Sequence, residues 1–145
     1  MNDYENESNE DMCTILKEYL NFHSKYTKIY GKKTVVLMLV GQFYEMYAVI
    51  NDTIHIGAYL NEISDILNIQ IARRNKKIKE ISYDNFLMAG FPDHAFLKFR
   101  NILLNHNYTI VKVDQITSRI YIEDLKDRAR WKDTLLYVPK NQRID

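Results

Sequence analysis

The sequence predicts an α/β fold, a single compact domain with a mixed β-sheet flanked by helices, and three observations predict it. Residues 34–40, TVVLMLV, are an unbroken run of β-formers, the pattern of a strand covered on both faces. Ahead of it, Met12, Ile15, Leu16, Tyr19, Phe22, Tyr26, Ile29 and Tyr30 recur at helical spacing. Beyond it, short apolar runs bounded by Gly, Pro and Asn alternate with further helical patterns, which calls for helices packed on a sheet. With 145 residues, 46% of them apolar, the chain can bury about two thirds of its unfolded surface.

Residues 1–10, MNDYENESNE, are polar, acidic and aperiodic and read as a disordered tail. The first helix then starts at a cap on Asp11 and stops at Gly31. His23 lies on or beside its apolar stripe, the setting of a core or boundary histidine, while Lys25 and Lys28 lie on the polar side. After the strand at 34–40, Gly41 marks a place where the backbone needs freedom or something approaches closely. If the chain stays extended past Gly41, Phe43 and Glu45 point to one side and Tyr44 to the other, so a ring and a carboxylate reach one ligand together. Taken alone, the tripeptide reads as core aromatics followed by a solvated charge.

Met46, Tyr47, Val49 and Ile50 continue the strand as far as a turn at Asn51-Asp52. Ile56, Leu60, Ile63 and Leu67 follow i, i+4, i+7, i+11 and predict a helix over 54–67, with a short strand at 69–72. Arg73, Arg74, Lys76, Lys77 and Lys79 then make a basic loop, either solvated or in contact with phosphate. A strand is expected at 85–91, and Gly90-Phe91-Pro92 turns the chain into a helix capped by Asp93, with Ala95, Phe99, Ile102 and Leu103 on its apolar face. His94, in its first turn, is read as structural. Residues 108–113 form the next strand. Residues 118–145 hold a charged amphipathic stretch around Ile122, Leu125, Ala129 and Trp131, then a strand at 134–138. The domain proper therefore spans 11–117, and 118–145 is an extension that completes or flanks it.

The net charge of +1 is low for a protein that grips nucleic acid without sequence preference. The charge is uneven, however: residues 1–11 carry acids and no lysine or arginine, whereas 73–79 carry five bases and no acid. The lone Cys13 cannot close an internal disulfide, which fits a reducing, intracellular compartment. No apolar run is long enough to span a membrane and no basic leader precedes one, so a soluble protein is expected. His23, His55, His94 and His106 lack metal-ligand spacing, and no cofactor is implied. Ile, Asn, Lys and Tyr fill 54 of 145 positions, the bias of AT-rich coding DNA, which points to a viral, organellar or parasite genome.

Three motifs carry a resemblance. Gly41-Gln42-Phe43-Tyr44-Glu45 follows an apolar strand; Met88-Ala89-Gly90-Phe91-Pro92-Asp93-His94-Ala95 is a second block; and Asn107-Tyr108-Thr109-Ile110-Val111-Lys112-Val113-Asp114-Gln115 is a weaker third. In this order and spacing they resemble the N-terminal mismatch-recognition domain, domain I, of the MutS family of DNA mismatch repair proteins. The resemblance covers roughly residues 19–117, and Gln42 departs from the aspartate of many members. It implies that Phe43 is a wedge pushed between base pairs from the minor groove and that Glu45 senses the displaced base. Gly41 would allow the close approach, and Arg73, Arg74, Lys76 and Lys77 would contact phosphates. The partner is then duplex DNA with a mismatch or small loop.

No G-x-x-x-x-G-K-[ST] is present, and the lever, clamp and ATPase parts of full-length members have no room in 145 residues. The chain is expected to be non-enzymatic, either a stand-alone recognition module or a fragment of a longer protein, with the remaining MutS-type ATPase and clamp chain as a partner. Two other classes remain open from the residues. Pro92-Asp93 with Asp124-Leu125-Lys126 fits the acid and lysine pattern of a Mg²⁺-dependent restriction-type nuclease. A protein-interaction domain with no DNA role fits the near-neutral charge, and Trp131 and Tyr137 if they are exposed.

Overall fold

In the computed structural model, residues 3–115 and 131–139 are described. Helix α1 spans Asp3–Tyr30 and buries Leu16, Tyr19, His23 and Tyr26, at the three- and four-residue steps of one helix face. It ends as expected before Gly31, which takes φ +100° and donates its N–H to the Thr27 carbonyl at 2.9 Å. Its start differs from the reading of the sequence. Residues 3–10, expected as a disordered tail, continue the helix through Asp11.

Strand β1, Thr34–Val40, is buried over its first five residues, as its uninterrupted apolar run requires. The chain does not stay extended past Gly41. Gly41, at φ +63°, and Gln42 reverse it into an antiparallel hairpin, so that Val40 pairs with Phe43 at the start of β2, Phe43–Ile50. A methyl on Gly41 would meet no other protein atom within 4 Å, so within the fold itself this glycine serves the turn.

The segment 54–67 is not one helix. Residues His55–Gly57 form β3, paired with the far end of β2, and helix α2 runs only over Leu60–Leu67. Gly57 explains the break: it takes φ +94°, and a Cβ there would sit 2.5 Å from the Tyr47 carbonyl oxygen. The strand expected at 69–72 is reduced to β4, Ala72–Arg73, which pairs with β5, Leu87–Pro92. A single 3₁₀ turn, Asp93–Ala95, leads into α3, Phe96–Asn105, and is followed by β6, Thr109–Gln115, and β7, Trp131–Tyr137. Asp93 makes no side-chain capping bond, contrary to expectation; its backbone N–H donates instead to the Gln42 carbonyl at 2.8 Å. The amphipathic stretch read around Ile122, Leu125 and Ala129 lies outside the described residues.

The strands form one sheet in the order β4-β5-β2-β1-β6-β7, with β3 on β2. The β1–β6 pair is parallel and the others are antiparallel, so the sheet is mixed as predicted. Strand alternation puts Phe43, Glu45 and Tyr47 on one face and Tyr44 and Met46 on the other. Helix α1 covers the first face, Tyr19 meeting Tyr47 edge-on at 5.2 Å. Helix α3 covers the second, Phe96 lying 5.0 Å from Tyr44, and α2 packs beside α3. No helix among the described residues is long and apolar enough to cross a membrane.

Candidate nucleic-acid interface

The β1–β2 hairpin tip places a large apolar ring at the end of the sheet. Phe43 is 48% exposed although it is paired on both sides, with Val40 of β1 and Pro92 of β5. The backbone beneath it is held firmly. Tyr44, next in sequence, is buried against Phe91 at 6.1 Å and Phe96 at 5.0 Å, and its hydroxyl donates to Asp114 Oδ1 at 3.0 Å. Lys112 pairs with the other oxygen of that carboxylate at 3.2 Å. The ring of Phe43 is thus presented by a rigid support, which is what inserting a side chain into a stacked duplex demands.

Two residues along the same strand face, about 7 Å away, lies Glu45. It is half-buried, flanked by Met38 on β1 and Gly90 on β5. Gly90 provides the space: a Cβ there would come within 3.3 Å of Glu45 Cγ and 2.5 Å of the Tyr44 carbonyl oxygen. Burial pushes the Glu45 carboxyl up from its ordinary pKa, and a hydrogen bond from the Tyr47 hydroxyl to Oε2 acts in the opposite direction without cancelling it. Phe43 and Glu45 therefore do point to one side, as the sequence predicts, even though a turn precedes them.

The basic loop is ordered but stands elsewhere. Asn85, 2% exposed, is its hub: Oδ1 accepts from the Asn75 N–H at 2.8 Å, and Nδ2 donates to the carbonyls of Ile78 at 2.9 Å and Glu80 at 2.8 Å. Arg73 donates from Nη2 to the Lys76 carbonyl at 2.8 Å and so braces the loop, while Lys76 and Lys77 are exposed on it. Arg73 pairs with Leu87, and Phe43 pairs with Pro92. The loop therefore leaves the far end of β5, about 17 Å from the hairpin tip along the strand.

Three residues of this surface were not picked out as functional from sequence. Gly90 had a signal, since an isolated glycine in a strand pattern marks a close approach. Tyr47 had a weaker one, lying two residues beyond Glu45. Asn85 had none, because its partners are backbone groups of the loop. Asp93 is exposed near the tip, whereas Asp124 and Lys126 lie outside the described residues. Among the described residues no three His, Cys, Asp or Glu side chains are grouped to hold a metal ion.

Comparison with known proteins places the chain beside one family. The family model of MutS domain I matches residues 15–132. A mutS homolog of Acanthamoeba polyphaga mimivirus, whose name assigns it to DNA mismatch repair, is 37% identical over 105 residues, which is 70% of this chain and 9% of that protein.

Proposed function

The chain belongs to the MutS domain I family, and from that premise we propose that it binds duplex DNA at mispaired or unpaired bases and serves mismatch repair as a recognition module without catalysis of its own. The observation that carries this reading is the half-exposed Phe43 ring at a rigid hairpin tip with the Glu45 carboxylate beside it on the same face. Inserting the ring from the minor groove unstacks a base step at a cost of a few kcal/mol, least where the bases already pair and stack poorly. Stacking on the ring returns roughly 1–3 kcal/mol per base. Selectivity for defects then arises without reading sequence, and the kink that the wedge produces is also easiest at a defect.

Glu45 acts as a discriminator. Its charge is repelled by the phosphates of an intact duplex, whereas a displaced base can offer it a hydrogen bond. Glu45→Ala is expected to tighten binding to matched duplex about fivefold, the equivalent of ~1 kcal/mol of relieved repulsion. Equal weakening on matched and mismatched duplexes would refute the repulsion argument.

Arg73, Arg74, Lys76 and Lys77 contact the backbone about five base steps from the wedge, the distance that ~17 Å of strand represents on a duplex rising 3.4 Å per step. Replacing Lys76 and Lys77 by Ala is expected to weaken binding to both duplexes alike and to reduce the slope of log K against log salt by about one for each phosphate left without its lysine. An unchanged slope would take the loop out of the interface. The remaining MutS-type clamp and ATPase are the proposed partners, and a lone domain without their avidity binds weakly.

The direct test is low-salt binding of the chain to two labelled duplexes that differ only in one mispaired or unpaired base. Tighter binding to the defective duplex is expected. Equal affinity, or no binding by folded protein, would overturn the reading.

A further inference from the structure

We propose that Tyr47 is a positioning residue for the base-sensing carboxylate: its hydroxyl fixes Oε2 of Glu45 and leaves Oε1 to meet the displaced base. The inference rests on the reading of Glu45 given above. Tyr47 is fully buried, its ring held edge-on between Tyr19 at 5.2 Å and Phe86 at 5.5 Å. The hydroxyl therefore has a fixed place, and it donates to Oε2 of Glu45, two residues back on the same face. Tyr19 does not compete, because its own hydroxyl donates to the Val36 carbonyl at 2.8 Å. Among the described residues Oε1 accepts no hydrogen bond. With Gly90 leaving room on one flank and Met38 lining the other, the carboxylate is held with half of its accepting capacity unused.

The bond has two consequences. It fixes a flexible side chain before DNA arrives, so less order has to be gained on binding. It also favours the charged form in a place where burial disfavours it, and the charged form is the one that an intact duplex repels. The neighbouring elements leave this role to Tyr47. Met38 of β1 and Gly90 of β5 are not ionisable. From α1, Tyr19 is bonded elsewhere, and His23, stacked on Tyr19 at 6.3 Å, is pushed down to about 4 by burial and by His55, so it is neutral at neutral pH.

The test compares the full chain, Tyr47→Phe, Glu45→Gln and the double variant on the matched and mismatched duplexes across pH 5.5 to 8.5. Tyr47→Phe keeps the ring and removes only the donor. It is expected to bind matched duplex more tightly, by no more than the roughly fivefold expected of Glu45→Ala, to lose the same factor in discrimination, and to shift upward the pH below which matched binding tightens. In the Glu45→Gln background it should change neither. A purely structural role predicts a lower melting temperature with both duplexes weakened in equal ratio and no shift in the pH profile, and that result would overturn the proposal. If the wild type shows no preference, or Glu45→Gln leaves matched binding unchanged, the base-sensing reading falls and this one with it. If those two behave as expected and Tyr47→Phe matches wild type, only the positioning role falls. A readout that does not depend on Tyr47→Phe folding is the Tyr47 hydroxyl proton. It should exchange slowly in the wild type and lose that protection in folded Glu45→Ala; fast exchange in the wild type would also overturn the proposal.

Discussion

Phe43→Ala is expected to erase the preference for a defective duplex while leaving weak, salt-sensitive binding to any duplex. In the proposed mechanism the ring supplies the stacking that offsets base unstacking, roughly 1–3 kcal/mol, so its loss corresponds to about a 5- to 150-fold fall in the ratio of the two affinities. Binding through phosphates does not use the ring and should persist with its salt slope intact. Stability should change little, since Phe43 is 48% exposed and sits at a hairpin tip, and surface substitutions outside the core typically shift stability by about 0.5 kcal/mol. The check is the ratio of dissociation constants on paired and mispaired duplexes, with thermal unfolding measured alongside. A preserved ratio in a folded variant would remove the wedge from the mechanism.

The sequence made legible what depends on local periodicity. The run 34–40 read as a strand covered on both faces, and the spacing of Leu16, Tyr19, His23 and Tyr26 marked one helix face. The parity of Phe43 and Glu45 survived even an error in the backbone path, because the hairpin reverses the chain before Phe43 and the two-residue alternation is counted after it. The reversal was missed. Gly-Gln lacks the asparagine-glycine signature, and although a glycine in the first central position also signals a two-residue turn, a glycine at the end of an apolar run reads equally as a bulge. The helix expected over 54–67 failed for a related reason: Ile56 keeps helical phase with Leu60, Ile63 and Leu67, although Gly57 in a left-handed conformation ends any helix there.

Other features were not legible because they depend on strand register, which is set between distant residues. That Arg73 lies opposite Leu87 while Phe43 lies opposite Pro92 separates the basic loop from the hairpin tip by most of a strand, and nothing in either segment announces it. The bond between Tyr47 and Glu45 is local in sequence, yet it forms only because Tyr19 and Phe86 hold the ring and Gly90 leaves the space. A pair two apart on a strand is ordinary, and its environment decides whether it acts.

Gly90→Ala is expected to damage stability and discrimination together. A methyl group here would lie 2.5 Å from the Tyr44 carbonyl oxygen, 3.2 Å from Glu45 Cα and 3.3 Å from Glu45 Cγ. The first two contacts are with backbone, so the overlap is relieved only by separating β2 from β5 where Tyr44 faces Phe91 in the core. Replacing a strand glycine by alanine normally gains about 0.5–1 kcal/mol in chain entropy. Overpacking at a site that cannot yield costs about 1–3 kcal/mol or more, which decides the sign. The third contact displaces the Glu45 side chain from its place beside Tyr47, so protein that remains folded should also lose discrimination between matched and mispaired duplex. Urea titration should show a lower midpoint, and duplex binding below the unfolding temperature should show the reduced ratio. An unchanged midpoint would mean that the sheet absorbs the methyl, and an unchanged ratio in a destabilised variant would mean that the notch at Gly90 serves packing alone.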